Sequence, residues 1–347
     1  MNKKAKVVAL MLCLLLSVEI TLAITTNLSM ELWDRYTMVR QAGKTQKSAF
    51  SLERGYLRLE PTFTDKIKGR FNLDFFASDK YNDGAGIKLK YAYVEFNDIV
   101  PIPLSRFSFG MDKTYFGTVY DWTYVTIEKA LEDKEKVISS ADYGINFTGY
   151  IPKGYGEYAI SVINGEGYSK AASKVNINPA PVVNLRLIPI PGVSLGGSVL
   201  YEKAGFIDTI KTAYDKRMAY TGVARFAFGP LDAWFEYLAQ TNGVTTRGEY
   251  KETKSQGFMI MPVLRFIRPL DLVLRYDKWD PNSGTANDGW STLIGGFNWN
   301  ILFDGQGTPT LFVQTNWQRT MYDDSNKKPL DQIMVQLRWT FGNNLID

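Results

Sequence analysis

The chain has 347 residues, of which 45% are apolar, 22% charged and 14% aromatic, with one Cys, no His and a formal charge of +4. The charged fraction is too high for a helical membrane protein, and the aromatic content is too high for a disordered chain. The missing His excludes Ser-His-Asp and Cys-His catalysis and His-ligated metals. The lone Cys13 excludes intrachain disulfides and Cys-ligated clusters, and the mild charge gives no reason to expect nucleic acid as a partner.

Residues 1–23 read as a secretory signal peptide. Lys3, Lys4 and Lys6 precede the apolar run Val7 to Leu16, and Thr21-Leu22-Ala23 offers small residues at a cleavage site. The run is too short for a spanning helix. Cleavage after Ala23 leaves 324 residues without Cys or His. Removing three Lys and Glu19 takes the charge from +4 to +2.

Residues 24–347 read as one all-β domain, a sixteen-stranded antiparallel transmembrane β-barrel. No later stretch is apolar enough to span as a helix, the best being the ten residues Phe258 to Ile267, which include Arg265. What recurs is alternation. In 331–341, Ile333, Val335, Leu337, Trp339 and Phe341 share one face, while Gln332, Met334, Gln336, Arg338 and Thr340 share the other. Similar segments fall at 28–40, 48–60, 66–78, 86–97, 104–112, 141–150, 155–163, 180–188, 193–203, 215–228, 231–240, 255–267, 270–279, 289–300, 308–317 and 330–341.

Two kinds of connection take turns between these segments. Short turns lie at 61–65, 98–103, 151–154, 189–192, 229–230, 268–269 and 301–307. Longer polar loops lie at 41–47, 79–85, 113–140, 164–177, 204–214, 241–254, 280–288 and 318–329. Alternating short and long rims are the pattern of an outer-membrane barrel, with both termini on the periplasmic short-turn rim. Tyr143, Phe147, Tyr220, Phe228, Trp299 and Trp317 supply aromatic residues at the ends of outward faces. Sixteen strands enclose an aqueous channel, whereas eight enclose only packed side chains.

The third long loop, Lys113 to Ser140, is twice as long as any other. Its middle, Thr126 to Val137, has Glu, Lys, Ala and Leu without Gly or Pro, and predicts a helix. Folded inward, this loop narrows the lumen, and Glu128, Lys129, Glu132 and Asp133 then border the constriction. With the apolar face outward, the inward basic set is Arg54, Arg58, Lys68, Arg70, Arg106, Arg186, Arg225, Arg265, Arg275 and Arg338. The inward acids are Glu60, Asp74, Glu157, Glu202, Asp232, Glu236, Asp271 and Asp277. An excess of ten to eight predicts only a mild anion preference. Arg54, Arg58, Arg70 and Arg106 precede the third loop and are the candidates for a basic wall facing its acids. The alternation of the fourth strand is ambiguous, so Lys88 and Lys90 are unassigned. The oxygen-rich 280–288 loop has Ser291 where an EF-hand closes with Glu, and reads as a turn-rich surface loop. Nothing calls for a metal or another cofactor.

Four passages resemble a known family. Arg54-Gly55-Tyr56-Leu57-Arg58-Leu59-Glu60, Lys90-Tyr91-Ala92-Tyr93-Val94-Glu95-Phe96, Phe109-Gly110-Met111-Asp112-Lys113-Thr114-Tyr115-Phe116-Gly117 and Leu272-Val273-Leu274-Arg275-Tyr276-Asp277-Lys278-Trp279-Asp280 are similar to strands of the phosphate-selective porin O and P family. The resemblance implies a trimeric sixteen-stranded porin whose third loop narrows the lumen. In the family's phosphate-specific members it implies a lysine cluster at the constriction and an arginine ladder. Here the third loop mixes signs and shows no lysine cluster, and six residues follow Phe341, where such barrels commonly end on an aromatic. The reading is therefore a non-enzymatic outer-membrane diffusion porin with a mild anion preference. Its expected partners are small hydrophilic or anionic solutes, outer-membrane lipid and two further copies. The alternatives are a non-transporting, adhesin-like surface barrel and a phosphate- or oxyanion-specific channel.

Overall fold

A computed structural model of the chain describes residues 24–78, 84–170, 178–203, 215–246 and 249–345. The expected signal peptide lies outside them. The chain forms sixteen antiparallel strands closed into a barrel. They are β1 (Thr25–Gln41), β2 (Lys44–Thr62), β3 (Ile67–Ala77), β4 (Ala85–Asn97), β5 (Arg106–Lys113), β6 (Ala141–Ile151), β7 (Gly156–Ile163) and β8 (Ala180–Ile190). The second half holds β9 (Val193–Lys203), β10 (Lys216–Phe228), β11 (Leu231–Thr246), β12 (Glu249–Ile267), β13 (Leu270–Asp280), β14 (Trp290–Phe303), β15 (Pro309–Tyr322) and β16 (Leu330–Leu345). Each strand pairs with its sequence neighbours, and β1 pairs with β16 from Thr26↔Leu345 to Gln41↔Leu330. Closure leaves no edge of unpaired backbone groups, which hydrocarbon cannot satisfy.

The period-two pattern sets the faces. On β8, Val182, Asn184 and Arg186 are buried while Val183, Leu185 and Leu187 are exposed on the outer surface. Tyr220, Phe228, Trp299 and Trp317 are likewise exposed outward. The seven short turns lie on one rim with both chain ends. On the other rim two expected loops are largely strand. β1 and β2 run on to a turn at Ala42-Gly43, whose φ values of 52° and 78° are the pair that a tight two-residue hairpin requires. β11 and β12 likewise extend to Thr246 and from Glu249, inside the expected 241–254 loop. The polarity of these segments marks strands that project beyond the apolar belt.

The expected helix over 126–137 shrinks to one turn, α1 (Leu131–Lys134). Helix propensity loses here to tertiary contacts, because the backbone groups on either side are bonded by side chains of the wall. The rule that apolar faces point outward also fails on part of the barrel. Met259, Met261 and Val263 on β12, Val273 on β13, Leu238 on β11, Leu200 on β9 and Val182 on β8 point inward and are buried. They form one cluster with Phe116, Leu131, Val137 and Ile138 of the segment that follows β5. These inward positions of the β8–β13 arc are apolar because they pack against this segment, among polar anchors such as Arg186, Arg217 and Arg275.

Candidate functional site

The segment 114–140 leaves β5 and returns at β6, and its backbone is held by side chains from seven strands. Arg186 Nη2 of β8 donates to Gly117 O at 2.9 Å, and Gly117 N donates to Ser198 Oγ of β9 at 2.9 Å. Arg217 Nη1 of β10 donates to Val137 O at 2.8 Å, and Arg275 Nη1 of β13 to Lys129 O at 2.6 Å. Asn298 Nδ2 of β14 donates to Val125 O at 2.9 Å, and Asn316 Oδ1 of β15 accepts from Ile127 N at 2.6 Å. Arg338 Nη1 of β16 donates to Thr123 O at 3.3 Å. Backbone groups that a helix would pair internally are thus paired with the wall. Three of the arginines read as inward from the alternation, Arg186, Arg275 and Arg338, serve as these anchors.

Gly117 shows how tightly the segment is seated. Its φ is +55°, and a Cβ there would overlap the carboxylates of Glu132 and Glu236. Those two acids meet at Thr118. Glu132 Oε1 accepts the amides of Thr118 and Val119 at 2.6 and 2.8 Å, and Thr118 Oγ1 donates to Glu236 Oε2 at 2.9 Å. Burial pushes the Glu132 carboxyl above its ordinary range, against those amide donors. Burial also raises Glu135 to about 7, with Lys134 opposing and Asp277 reinforcing the shift. A carboxyl raised in the folded state stabilises the fold in its protonated form, below about pH 7 for Glu135. That contribution falls as pH rises from the unfolded value toward the folded one. The seated segment should therefore be more protease-resistant at pH 5 than at pH 8. Glu135→Gln should flatten this difference in limited proteolysis. An unchanged pH profile in that variant would exclude Glu135 as its source.

On the opposite side, side chains of β1–β5 and β16 border cavities, the innermost of which is also lined by β6–β8. Three cavities adjoin along this wall. The outermost, about 330 Å³, is bordered by Arg35, Arg54, Lys88, Glu128 and Lys129. The middle one, about 180 Å³, is bordered by Glu31, Arg54, Arg58, Arg70, Lys90, Asp133 and Arg338. The inner one, about 610 Å³, is bordered by Arg70, Arg106, Tyr115, Asp121 and Glu157. Trp33, Arg54 and Tyr124 border both the outer and the middle cavity, and Arg70 and Tyr120 border both the middle and the inner one. The middle cavity is the smallest of the three, and its lining holds five basic residues against two acids, a formal count of +3.

Aromatic rings hold these cations. The Arg54 guanidinium lies 4.6 Å from the Trp33 ring and 4.9 Å from Tyr56, and its Nη1 donates to the Tyr124 hydroxyl at 3.3 Å. Arg70 lies 4.6 Å over Tyr91, and Lys90 lies 3.9 Å from Tyr168. Glu31 is shared by Arg58 and Arg338, and Arg58 Nε also donates to Asn72 Oδ1 at 3.1 Å. Among the described residues Arg338 Nε is a buried donor with no hydrogen-bond partner, whereas Arg70 Nε faces Glu60 Oε1 at 3.5 Å as an ion pair.

The sequence-derived residues separate into four groups. Arg54, Arg58 and Arg70 converge on the middle cavity with Asp133. Glu128 and Lys129 border the outer cavity, where Lys129 Nζ lies 3.4 Å from Asp133 Oδ1. Arg106 is saturated: it donates to Glu95, Asp112 and Tyr115 at 2.6, 2.7 and 2.9 Å, and works as a wall salt bridge beside the inner cavity. Glu132, expected among the constriction acids, is fully buried against Thr118 and Glu236 on the β11 side and borders none of the three cavities.

Lys90 joins the basic wall although the sequence left it unassigned. β4 carries an extra residue there, because Asn72 pairs with Tyr91 and Leu73 with Leu89. A second bulge places Glu53 between the Trp33↔Arg54 and Asp34↔Leu52 pairs on β2. Each bulge shifts the alternation by one residue and re-aims side chains. In the 280–288 loop, Asp280 Oδ1 accepts from Asn282 N at 3.0 Å and Asn282 Oδ1 from Gly284 N at 3.2 Å, so both side chains close their own turns.

No protein-family model matches the chain, and no curated protein is significantly similar to it. Solved structures do share its fold. A complex of OmpF of Salmonella typhi superposes with a TM-score of 0.64 at 11% identity, covering 91% of this chain and 97% of that one. An anion-selective porin from Comamonas acidovorans gives 0.65 at 12% identity, covering 92% and 100%. The outer-membrane channel DcaP of Acinetobacter baumannii gives 0.66 at 13% identity, covering 92% and 98%. At these identities the likeness is one of fold: a closed sixteen-stranded barrel of the outer-membrane porin type.

Proposed function

We propose that the chain is an outer-membrane porin, a passive diffusion channel for small hydrophilic solutes with a mild anion preference. Residues 113–140 fold inward and fill the β8–β13 side of the lumen. Water and solutes pass along the β1–β5 and β16 wall, through the middle cavity. The observation that carries this reading is the run of three adjoining cavities, whose smallest member is lined by Arg54, Arg58, Arg70, Lys90 and Arg338. No chemical step is involved: a hydrated lumen, a constriction and a local field suffice. Residues 1–23 export the chain and are removed.

The working unit is a homotrimer. Supporting this, Asp34 is an exposed acid on the outward face of β1, between Leu32 and Tyr36 and paired across to Leu52 and Leu337. A carboxylate within an apolar outward face is costly against lipid and favours cover by another copy. Native mass spectrometry of detergent extracts should give three chains per particle. A monomer retaining channel activity would contradict this.

A second reading, an oxyanion-specific channel, is favoured by the Arg338 Nε donor, which has no hydrogen-bond partner among the described residues at the middle cavity. Single-channel recording separates the two. The diffusion porin gives discrete conductance steps that millimolar phosphate leaves intact, whereas the specific channel is blocked by micromolar phosphate. Absence of any steps from a folded, heat-modifiable protein would overturn both.

A further inference from the structure

We propose that the inner cavity is a saccharide site, which holds a neutral disaccharide between the β4–β8 wall and the start of the seated segment. The site deepens the porin reading, on which it rests for the route that brings the sugar in. The cavity measures about 610 Å³, within the roughly 300–1,000 Å³ of small-molecule sites. Its floor is a row of inward residues in register. Asn97, Arg106, Thr148, Ala159 and Asn184 pair across from β4 to β8, and all five border the cavity. Thr148 and Ala159 are small and leave the space open. Beside this row lies a second bordering pair, Tyr150↔Glu157.

The roof is Tyr115, Tyr120 and Asp121 of the seated segment. Their polar ends are fixed to the wall. Arg106 Nη1 donates to the Tyr115 hydroxyl at 2.9 Å, the Tyr120 hydroxyl donates to Glu157, and Asp121 pairs with Arg186. The two rings are thereby held with centroids 5.4 Å apart and planes at 37°. Tyr150 projects from the wall and is 58% exposed. Among the described residues no cation lies over the Tyr115 or Tyr150 ring, whereas Arg54 lies over Trp33 and Arg70 over Tyr91 at the middle cavity.

The polar lining selects no ion. Arg70, Arg106 and Lys113 stand against Glu95, Asp98, Asp121 and Glu157, so the basic excess of the middle cavity ends here. Two buried oxygens at the cavity, Ser105 Oγ and Asp121 Oδ1, have no hydrogen-bond partner among the described residues, and Ser105 is only 2% exposed. Such oxygens are costly to leave unpaired, and a hydroxylated ligand supplies the missing bonds. A pyranose matches both features. Its C–H face packs on an aromatic ring, and its hydroxyls both donate and accept. A simple anion would meet more acids than cations. An apolar solute would strip water from the carboxylates without replacing its hydrogen bonds.

The test is isothermal titration calorimetry of the mature chain in an amine-oxide detergent, which carries no sugar. Maltose, cellobiose and lactose are titrated in turn, with sorbitol as a polyol that has no ring to stack. At least one disaccharide should bind saturably, and sorbitol about tenfold more weakly or not at all. Tyr150→Ala should weaken the disaccharide about tenfold, and Glu157→Gln should weaken it by a smaller factor, with heat-modifiability on gels unchanged in both. No saturable binding of any of the three, sorbitol binding as tightly, or unchanged affinity in both folded variants would overturn the proposal. Calorimetry does not need the barrel to conduct. Disaccharide binding by a protein that gives no conductance steps would remove the porin reading and leave the site standing. Conductance steps without disaccharide binding would do the reverse.

Discussion

Leu131→Asp should open the channel. Leu131 is fully buried in α1, inside the cluster that seats residues 114–140 against Met259, Met261 and Leu238. Truncating a buried Leu costs about 2–5 kcal/mol, and a carboxylate in its place adds the cost of an unpaired buried charge. The barrel itself keeps its sixteen-strand ladder, so the loss falls on the seated segment. Single-channel conductance should rise about twofold or more as the lumen regains cross-section. Deletion of 126–137 should act in the same direction while exposing the inward apolar row of β12 to water. That exposure should make the deletion variant aggregate more readily than Leu131→Asp. A folded Leu131→Asp protein with wild-type conductance would mean that the segment does not limit the pore.

The second large effect concerns selectivity. Replacing Arg58 and Arg70 by Ser takes the charge lining the middle cavity from +3 to +1. In a hydrated site each charge contributes on the order of 1 kcal/mol at contact distance, enough to change ion preference several-fold. The reversal potential in a salt gradient should move toward cations at low salt. The shift should shrink near 1 M salt, where the screening length is about 3 Å. The field differs from the opposed rows drawn from the sequence. Glu132 is turned away, and Asp133 and Glu128 are the loop acids that border the cavities. Asp133→Asn should therefore strengthen anion preference, while Arg106→Ser should change stability more than selectivity, because Arg106 is spent on Glu95 and Asp112.

Much of the barrel was legible because side-chain direction in a strand has a period of two, and one face of most strands is uniformly apolar. The turns were legible through Gly and Pro, as at Gly229-Pro230 and Arg268-Pro269. Legibility failed where that period is broken or masked. Lys90 and Glu53 sit at bulges, and a one-residue insertion leaves no compositional trace. β12 reads Phe258-Met259-Ile260-Met261-Pro262-Val263-Leu264, apolar on both faces, which signals a second packing partner but does not name it. The partner is the segment after β5, whose helix-forming composition hides a mostly irregular path. The side chains of seven strands that bond its backbone are all remote in sequence. The basic wall was identified in its arginines, but not in the rings that hold them, since Trp33, Tyr56, Tyr91 and Tyr124 come together only on closure.

The central claim is that the passage runs along the β1–β5 and β16 wall while the β8–β13 arc is filled. The mature chain expected from the sequence has no Cys, so single cysteines can report where water runs. Arg70→Cys and Met261→Cys channels should be compared in bilayers before and after a charged methanethiosulfonate reagent is added. The account predicts a stepwise fall in current for Arg70→Cys and no change for Met261→Cys. Modification of Met261→Cys at an equal rate with an equal fall in current would contradict it.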